Sequence, residues 1–223
     1  MSIQRLNHKK TDPIIVFDLD GTISRYDTAK IALIWRFVAQ PGRLVLLPFI
    51  LYSFVRWKMF KISSTQFKRR VFALIWASGD RVERPPRVTT LIFILTRIFV
   101  MTKARAEIRY HSSRGARVIL ATASPEIYVR ELASAIGITE YLCTTVRYVK
   151  FGSKTIPLLG VNCIGSKKAK MVINLCGGAP DAFYSDSEMD LPLLELCASP
   201  RVVNPCPKLR RIATDRKWRI YQW

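Results

Sequence analysis

Asp18-Leu19-Asp20-Gly21-Thr22 sets two carboxylates two residues apart, directly behind the apolar run Ile14-Ile15-Val16-Phe17. Such a run reads as a short buried strand, and residues two apart on a strand share a face. Asp18 and Asp20 are therefore expected to emerge together at the strand's carboxyl end, where parallel sheets bind ligands. Gly21 permits a sharp departure of the backbone, and Thr22 adds a hydroxyl. Two acids this close repel unless a cation lies between them, which suits a hard ion such as Mg²⁺. A calcium loop also alternates acids, but it lies between helices and carries Glu at its twelfth position. Counted from Asp18, that position is Ala29.

Three further groups stand at expected element ends. Thr122 follows the strand-like Arg117-Val118-Ile119-Leu120-Ala121. Lys168 lies in the helix opening Gly165-Ser166-Lys167-Lys168, where the helix dipole disfavours a cation unless an anion binds beside it. Asp186 and Asp190 stand four apart beyond Ala182-Phe183-Tyr184. Singly, each has an ordinary structural use: a helix cap, a solvated lysine, an acidic helix start.

Positioning these groups requires alternating strands and helices. The chain has 223 residues, 49% of them hydrophobic, enough for one large domain or a domain with an insertion. After Glu107, Ser124-Pro125-Glu126 reads as an N-cap, a first-turn proline and an early acid opening a helix through Ile136, stopped by Gly137. Tyr141 to Leu159 reads as a hairpin or a pair of short strands around Gly152. Helices over Lys167–Cys176, Pro192–Ala198 and Lys208–Ala213 alternate with strands at Ala182–Tyr184 and Arg201–Val203. This alternation predicts an α/β fold, a Rossmann-like, doubly wound parallel sheet. The five cysteines are odd in number, scattered and without metal-ligand spacing, so reduced thiols are expected. Met1 to Asp12 is polar with no apolar core, so a cleaved signal peptide is not expected.

Between Thr28 and Gly79 there is no acidic residue, but there are nine Lys or Arg and ten of the chain's 24 aromatic residues. Apolar runs cover Ile31–Ala39, Leu44–Val55 and Leu91–Met101; Pro41-Gly42 separates the first two, and Arg84-Pro85-Pro86-Arg87 precedes the third. Residues 27–106 are read as a helical insertion dividing a core of residues 1–26 and 107–223. Leu44–Val55 is shorter than the ~20 residues of a membrane-spanning helix, contains Pro48, and is flanked by Arg43 and Arg56. A re-entrant or interfacial segment and an insertion packing its own helices together both remain open at this point.

The ordered set of Asp-x-Asp-Gly-Thr, a strand-end Thr, a Lys and Asp-x-x-x-Asp resembles the haloacid dehalogenase superfamily of phosphohydrolases, subfamily IB. The resemblance covers nearly the whole chain, with the insertion after the first motif. It implies a hydrolase of phosphomonoesters in which Asp18 is the nucleophile and Asp20 the general acid and base. It also implies that Asp18, the Asp20 carbonyl and Asp186 hold Mg²⁺, that Thr122 and Lys168 meet the phosphoryl group, and that Asp190 steadies Lys168. Members similar to this chain carry Cys-x-Gly-x-x-Lys, here Cys163 to Lys168, which favours Lys168 over Lys167. Ser185 stands where many relatives have Gly, and the Gly-Asp-Gly-x-x-Asp pattern of phosphoserine phosphatases is absent.

The formal net charge of +20 calls for an anionic partner. A phosphorylated lipid fits the apolar, basic insertion, with tails along Leu44–Val55 and Arg56, Lys58 and Lys61 meeting anionic headgroups at the cytoplasmic side of a membrane. Leu46-Leu47-Pro48 and the run from Tyr184 to Leu194 are similar to family members acting on a lipid glycerophosphate, although the second run also occurs in other subfamily IB phosphatases. A cytoplasmic phosphatase on a small phosphomonoester is the alternative. A nucleic-acid or membrane-binding protein with an inactive core is disfavoured, because every catalytic position holds a competent residue type. Oligomeric state has no sequence signal.

Overall fold

The computed structural model describes residues 12–77, 88–152 and 154–223. The polar N-terminal stretch before Asp12 and Arg84-Pro85-Pro86-Arg87 lie outside them.

Eight strands are present among the described residues: β1 (Ile14–Phe17), β2 (Arg117–Pro125), β3 (Glu140–Thr144), β4 (Val146–Phe151), β5 (Lys154–Leu159), β6 (Ala182–Ser185), β7 (Ser199–Val203) and β8 (Arg219–Tyr221). Six form one sheet in the order β3-β2-β1-β6-β7-β8, parallel throughout. The chain runs outward from β1 in one direction through β2 and β3, and in the other through β6 to β8. The reversal falls between β1 and β6, the position at which such sheets open a crevice at their carboxyl ends.

Helices cover both faces. They are α1 (Thr28–Ala39), α2 (Leu47–Lys58), α3 (Ser64–Trp76), α4 (Val88–Ile94), α5 (Thr102–Ser113), α6 (Glu126–Ala135), α7 (Gly165–Cys176), α8 (Leu191–Leu194) and α9 (Pro207–Asp215). Alternation along the strands divides the core. Ile15, Phe17, Leu120 and Tyr184 pack with α5 and α6 residues such as Ile108 and Leu132. Val16, Ile119 and Phe183 pack on the other face with Val172, Leu194 and Leu209 from α7, α8 and α9. The fold is thus the doubly wound α/β architecture, with both sheet faces buried as a parallel sheet requires.

Local differences from the sequence expectation have physical causes. β2 continues through Pro125, so Ser124 is a strand residue and not a helix cap; Pro125 precedes α6, which ends at Ala135. The segment expected as one hairpin is divided: β3 joins the main sheet, and only β4 and β5 pair as an antiparallel hairpin. Helix α8 is shorter than expected, at four residues. Pro48 lies in the first turn of α2, where its missing N–H is harmless, so it starts that helix rather than interrupting it.

The two ends of the helical segment between β1 and α5, expected from the sequence to be an insertion, are stitched to each other. Arg25 N–H donates to Phe99 O at 2.9 Å, and Met101 N–H donates to Ile23 O at 2.9 Å. A turn of π-helix, Leu95–Phe99, precedes that exit, and α5 then runs continuously through residues 106 and 107. Within the insertion, Arg43 ties the Pro41–Leu46 turn to the carboxyl end of α3. Its guanidinium donates to Ile75 O at 2.8 Å, Ala77 O at 2.6 Å and Gln40 Oε1 at 2.6 Å. No single helix among the described residues is long and apolar enough to cross a membrane, but α1 and the segment Pro41–Lys58 form an apolar pair bent by 116°.

Arg43→Ala removes three charge-assisted bonds and leaves helix-end carbonyls without that partner. It is expected to destabilise the protein by about 1–3 kcal/mol in denaturant unfolding.

Candidate active site

Each acid is placed by an element end. Asp18 follows β1, and its N–H donates to Tyr184 O of β6 at 2.9 Å, which fixes the two strand ends side by side. Gly21 has φ of +80°, a left-handed value that favours glycine. A Cβ there would stand 2.0 Å from Asp186 Oδ2, so only glycine lets the β1 loop approach the β6 loop this closely.

Lys168, in the first turn of α7, is the hub. Its Nζ donates to Asp18 Oδ1 at 2.8 Å and to Asp190 Oδ2 at 2.8 Å. All three side chains are buried. Ser185 Oγ also donates to Asp190 Oδ2 at 2.8 Å, so this serine anchors the lysine's second partner. Burial alone would push the Lys168 ammonium down, but Asp18 and Asp190 together hold it above the ordinary lysine range. Burial raises Asp18 well above the ordinary carboxylate range; Lys168 opposes this, and the nearby Asp190 and Asp20 add to it. Lys167, the alternative lysine, is exposed.

Asp20 is held separately. Thr28 N–H, at the start of α1, donates to its Oδ1 at 2.6 Å, and Ser124 Oγ donates to Oδ2 at 2.8 Å. Thr28 Oγ1 lies 3.0 Å from Ser124 Oγ and 3.1 Å from the buried Tyr128 hydroxyl. Burial raises the Asp20 carboxyl, against the pull of the Thr28 and Ser124 hydrogen bonds. Sequence reasoning found Asp20 but not the residues that hold it. The Ser-Pro-Glu string that suggested a cap is the only local signal for Ser124, and Thr28 and Tyr128 carry none.

A cleft of about 480 Å³ opens on this group, with Asp18, Asp20, Lys168, Asp186 and Asp190 in its walls and Arg25 beside them. Arg25 was not anticipated. Thr122 is fully buried; its Oγ1 accepts from Ser124 N–H at 3.0 Å, and its neighbour Ala123 lines the cleft instead. Arg56, Lys58 and Lys61 stand apart from the cleft, around the carboxyl end of α2.

Among the described residues, no three His, Cys, Asp or Glu side chains converge as a metal cluster. The arrangement inferred from sequence needs only two carboxylates and one main-chain carbonyl, and Asp186 supports it. Its Oδ1 is buried without a hydrogen-bond partner. Burial, with the charges of Asp190 and Asp20, pushes its carboxyl up to about 7. A buried acceptor lacking a donor beside a second carboxylate suits a hard divalent cation.

A family model described as haloacid dehalogenase-like hydrolase matches residues 15–195. Over 126 residues, 54% of this chain and 43% of the relative, the sequence is 34% identical to a probable phosphatase of Mycobacterium tuberculosis (strain ATCC 25618 / H37Rv). Over 115 residues, 49% of this chain and 37% of the relative, it is 33% identical to a phosphoserine phosphatase of the same strain. The chain spans less than half the length of these two relatives. A solved structure of a protein of unknown function from Bordetella pertussis Tohama I matches with a TM-score of 0.74 and 23% identity, covering 95% of this chain and 98% of that one. At that identity the likeness is one of fold.

Asp186 has a thermodynamic signature. Its folded carboxyl titrates near 7 against an ordinary 3.8, so the metal-free fold binds this proton more tightly than the unfolded chain does. Its contribution therefore declines as pH rises from about 4 to about 7 and stays low above. Asp186→Asn is expected to stabilise the metal-free protein at pH 8 by on the order of 1–3 kcal/mol, with little gain at pH 4. Thermal unfolding with and without Mg²⁺ checks this: the ion should raise the wild-type midpoint and leave the variant's nearly unchanged.

Proposed function

The chain belongs to the haloacid dehalogenase-like hydrolase family, and from that premise we propose that it is a Mg²⁺-dependent phosphomonoester hydrolase working through an aspartyl-phosphate on a membrane lipid phosphate. The observation that carries the chemistry is the buried Asp18–Lys168–Asp190 bridge beside a separately held, protonation-prone Asp20.

An Asp18 carboxylate oxygen attacks phosphorus, the ester P–O bond breaks, and the phosphoryl group rests on Asp18. Protonated Asp20 gives its proton to the departing oxygen, so the alcohol leaves neutral. Asp20 then takes a proton from water as that water attacks phosphorus; phosphate departs, and Asp18 is a carboxylate again. The Lys168 ammonium offsets the negative charge that Asp18 brings to a phosphate dianion and orients the attacking carboxylate. Mg²⁺ held by Asp18, the Asp20 carbonyl and Asp186 would supply further charge neutralisation at the phosphoryl oxygens.

The lipid reading is supported by the insertion. In α2 only Ser53 is buried, while Phe49, Leu51, Tyr52, Phe54 and Val55 are exposed. Phe60, 97% exposed, follows with φ of +55°, a left-handed value unusual for an aromatic residue. It stands between Lys58 and Lys61. An outward apolar helix edged by cations suits the boundary of an anionic bilayer, on whose cytoplasmic face we place the protein. Phosphatidylglycerophosphate is one substrate of this class, suggested by Leu46-Leu47-Pro48 and the Tyr184–Leu194 run. The named relative favours a second reading, with phosphoserine as substrate.

Phosphate release measured on phosphatidylglycerophosphate vesicles and on phosphoserine separates the two. In either case Asp18→Asn is expected to lower turnover at least ~1,000-fold with an unchanged circular dichroism spectrum. Replacing Arg56, Lys58 and Lys61 together by Ala is expected to weaken co-sedimentation with anionic vesicles about 10- to 100-fold at low salt. Undiminished binding would count against the interfacial placement.

A further inference from the structure

A second cavity, of about 300 Å³, adjoins the catalytic cleft and shares Asp27 and Ala123 with it as a common wall. It lies in the seam between insertion and core. Leu33, Phe72 and Trp76 line it from α1 and α3, and Tyr128 and Leu159 line it from α6 and β5. Its position relative to the chemistry is set by Tyr128. That hydroxyl is 3.1 Å from Thr28 Oγ1, and Thr28 N–H holds Asp20. The chamber therefore begins beside the group that protonates the departing oxygen.

Most of the polar groups in its walls are engaged elsewhere, the exposed Lys68 at the rim being the exception. Asp27 accepts from Lys30 N–H at 3.0 Å and pairs with Lys30 Nζ at 3.5 Å. Thr144 Oγ1 meets Ala123 O at 2.7 Å and Asn162 Oδ1 at 3.0 Å. Arg69 reaches Gly160 O at 3.4 Å. A leaving group rich in hydroxyls or ammonium would lose water here and find few open partners, whereas hydrocarbon loses nothing.

We propose that this chamber receives the hydrocarbon of the leaving alcohol, so that the favoured substrates are monophosphates whose apolar chain starts at or near the ester oxygen. This rests on the phosphomonoesterase reading and narrows it: it turns the preference away from phosphatidylglycerophosphate and phosphoserine, whose leaving groups carry a hydroxyl or an ammonium close to the ester oxygen, and towards lipid phosphates whose hydrocarbon begins there. The exposed α2 face holds the protein at the bilayer, while the chamber, walled by α1 and α3, takes the reacting molecule's own chain.

The test uses the full chain with Mg²⁺ and a series of n-alkyl phosphonates from ethyl to octyl, which bind without turnover. Calorimetry is expected to show 1:1 binding, displaced by orthophosphate, that tightens at least about tenfold along the series. Ala29→Trp, at the chamber wall, is expected to reduce that gain to about threefold or less; Leu33→Gln serves as a second variant should Ala29→Trp not fold. A flat series in the wild type, a gain indifferent to both variants, or octyl binding that orthophosphate does not displace would each overturn the proposal. Phosphate release from octyl phosphate is the separate arm. Chain-dependent binding without release would leave the chamber standing and refute the hydrolase reading; release with a flat binding series would do the reverse.

Discussion

One buried ammonium makes the site possible. The ends of β1 and β6 bring Asp18, Asp20, Asp186 and Asp190 together around one cleft. Carboxylates taken out of water in a cluster repel and revert to their neutral forms unless a cation shares the space. Lys168 is that cation, at 2.8 Å from two of them. Its position depends on α7 starting at Gly165, whose φ of +58° turns the chain into the helix. The sheet order then matters chemically: only with β6 hydrogen-bonded beside β1 do the two acid-bearing loops face one lysine.

The acids consequently fall into two environments. Asp18 and Asp190 share a fixed charge, whereas Asp20 is held by a main-chain N–H and a hydroxyl. Burial pushes both carboxyls up, Asp18 the further, but only Asp18 has an ammonium bonded to it to hold the charged form, whereas Asp20 has neutral donors alone. Under the proposed mechanism, similar side chains a few ångströms apart are thereby suited to different tasks, one as nucleophile and one as proton carrier.

Sequence legibility followed strand ends. Asp18, Asp20, Lys168, Asp186 and Asp190 were readable because each sits just past a buried apolar run or at a helix opening, positions that periodicity locates. The hydroxyl residues Thr28, Ser124, Tyr128 and Ser185 were not read as site residues. Their partners are distant in the chain, and a hydroxyl's local habits as cap or turn former mask a tertiary use. Ser124 shows this directly: Ser-Pro-Glu reads as a helix start, yet pairing with β3 carries the strand through Pro125. The β8 strand was also missed; three residues behind a helix give no period to count. The outward apolar face of α2 was visible as composition, but which side of the helix it occupied required the packing of α3 and the Arg43 clasp.

The stitched ends of the insertion bear on how such a protein changes over generations. With Ile23, Arg25, Phe99 and Met101 hydrogen-bonded across the junction, the core sees a closed loop whose two ends meet. The entropy of closing a loop grows only with the logarithm of its length, so what lies between can lengthen, shorten or be exchanged at little expense to the sheet. Thr28 is the exception, since its amide supports Asp20. On the proposed reading, the stretch between the stitches is a replaceable cassette with one fixed rivet, so that selectivity is free to drift while the reaction stays put.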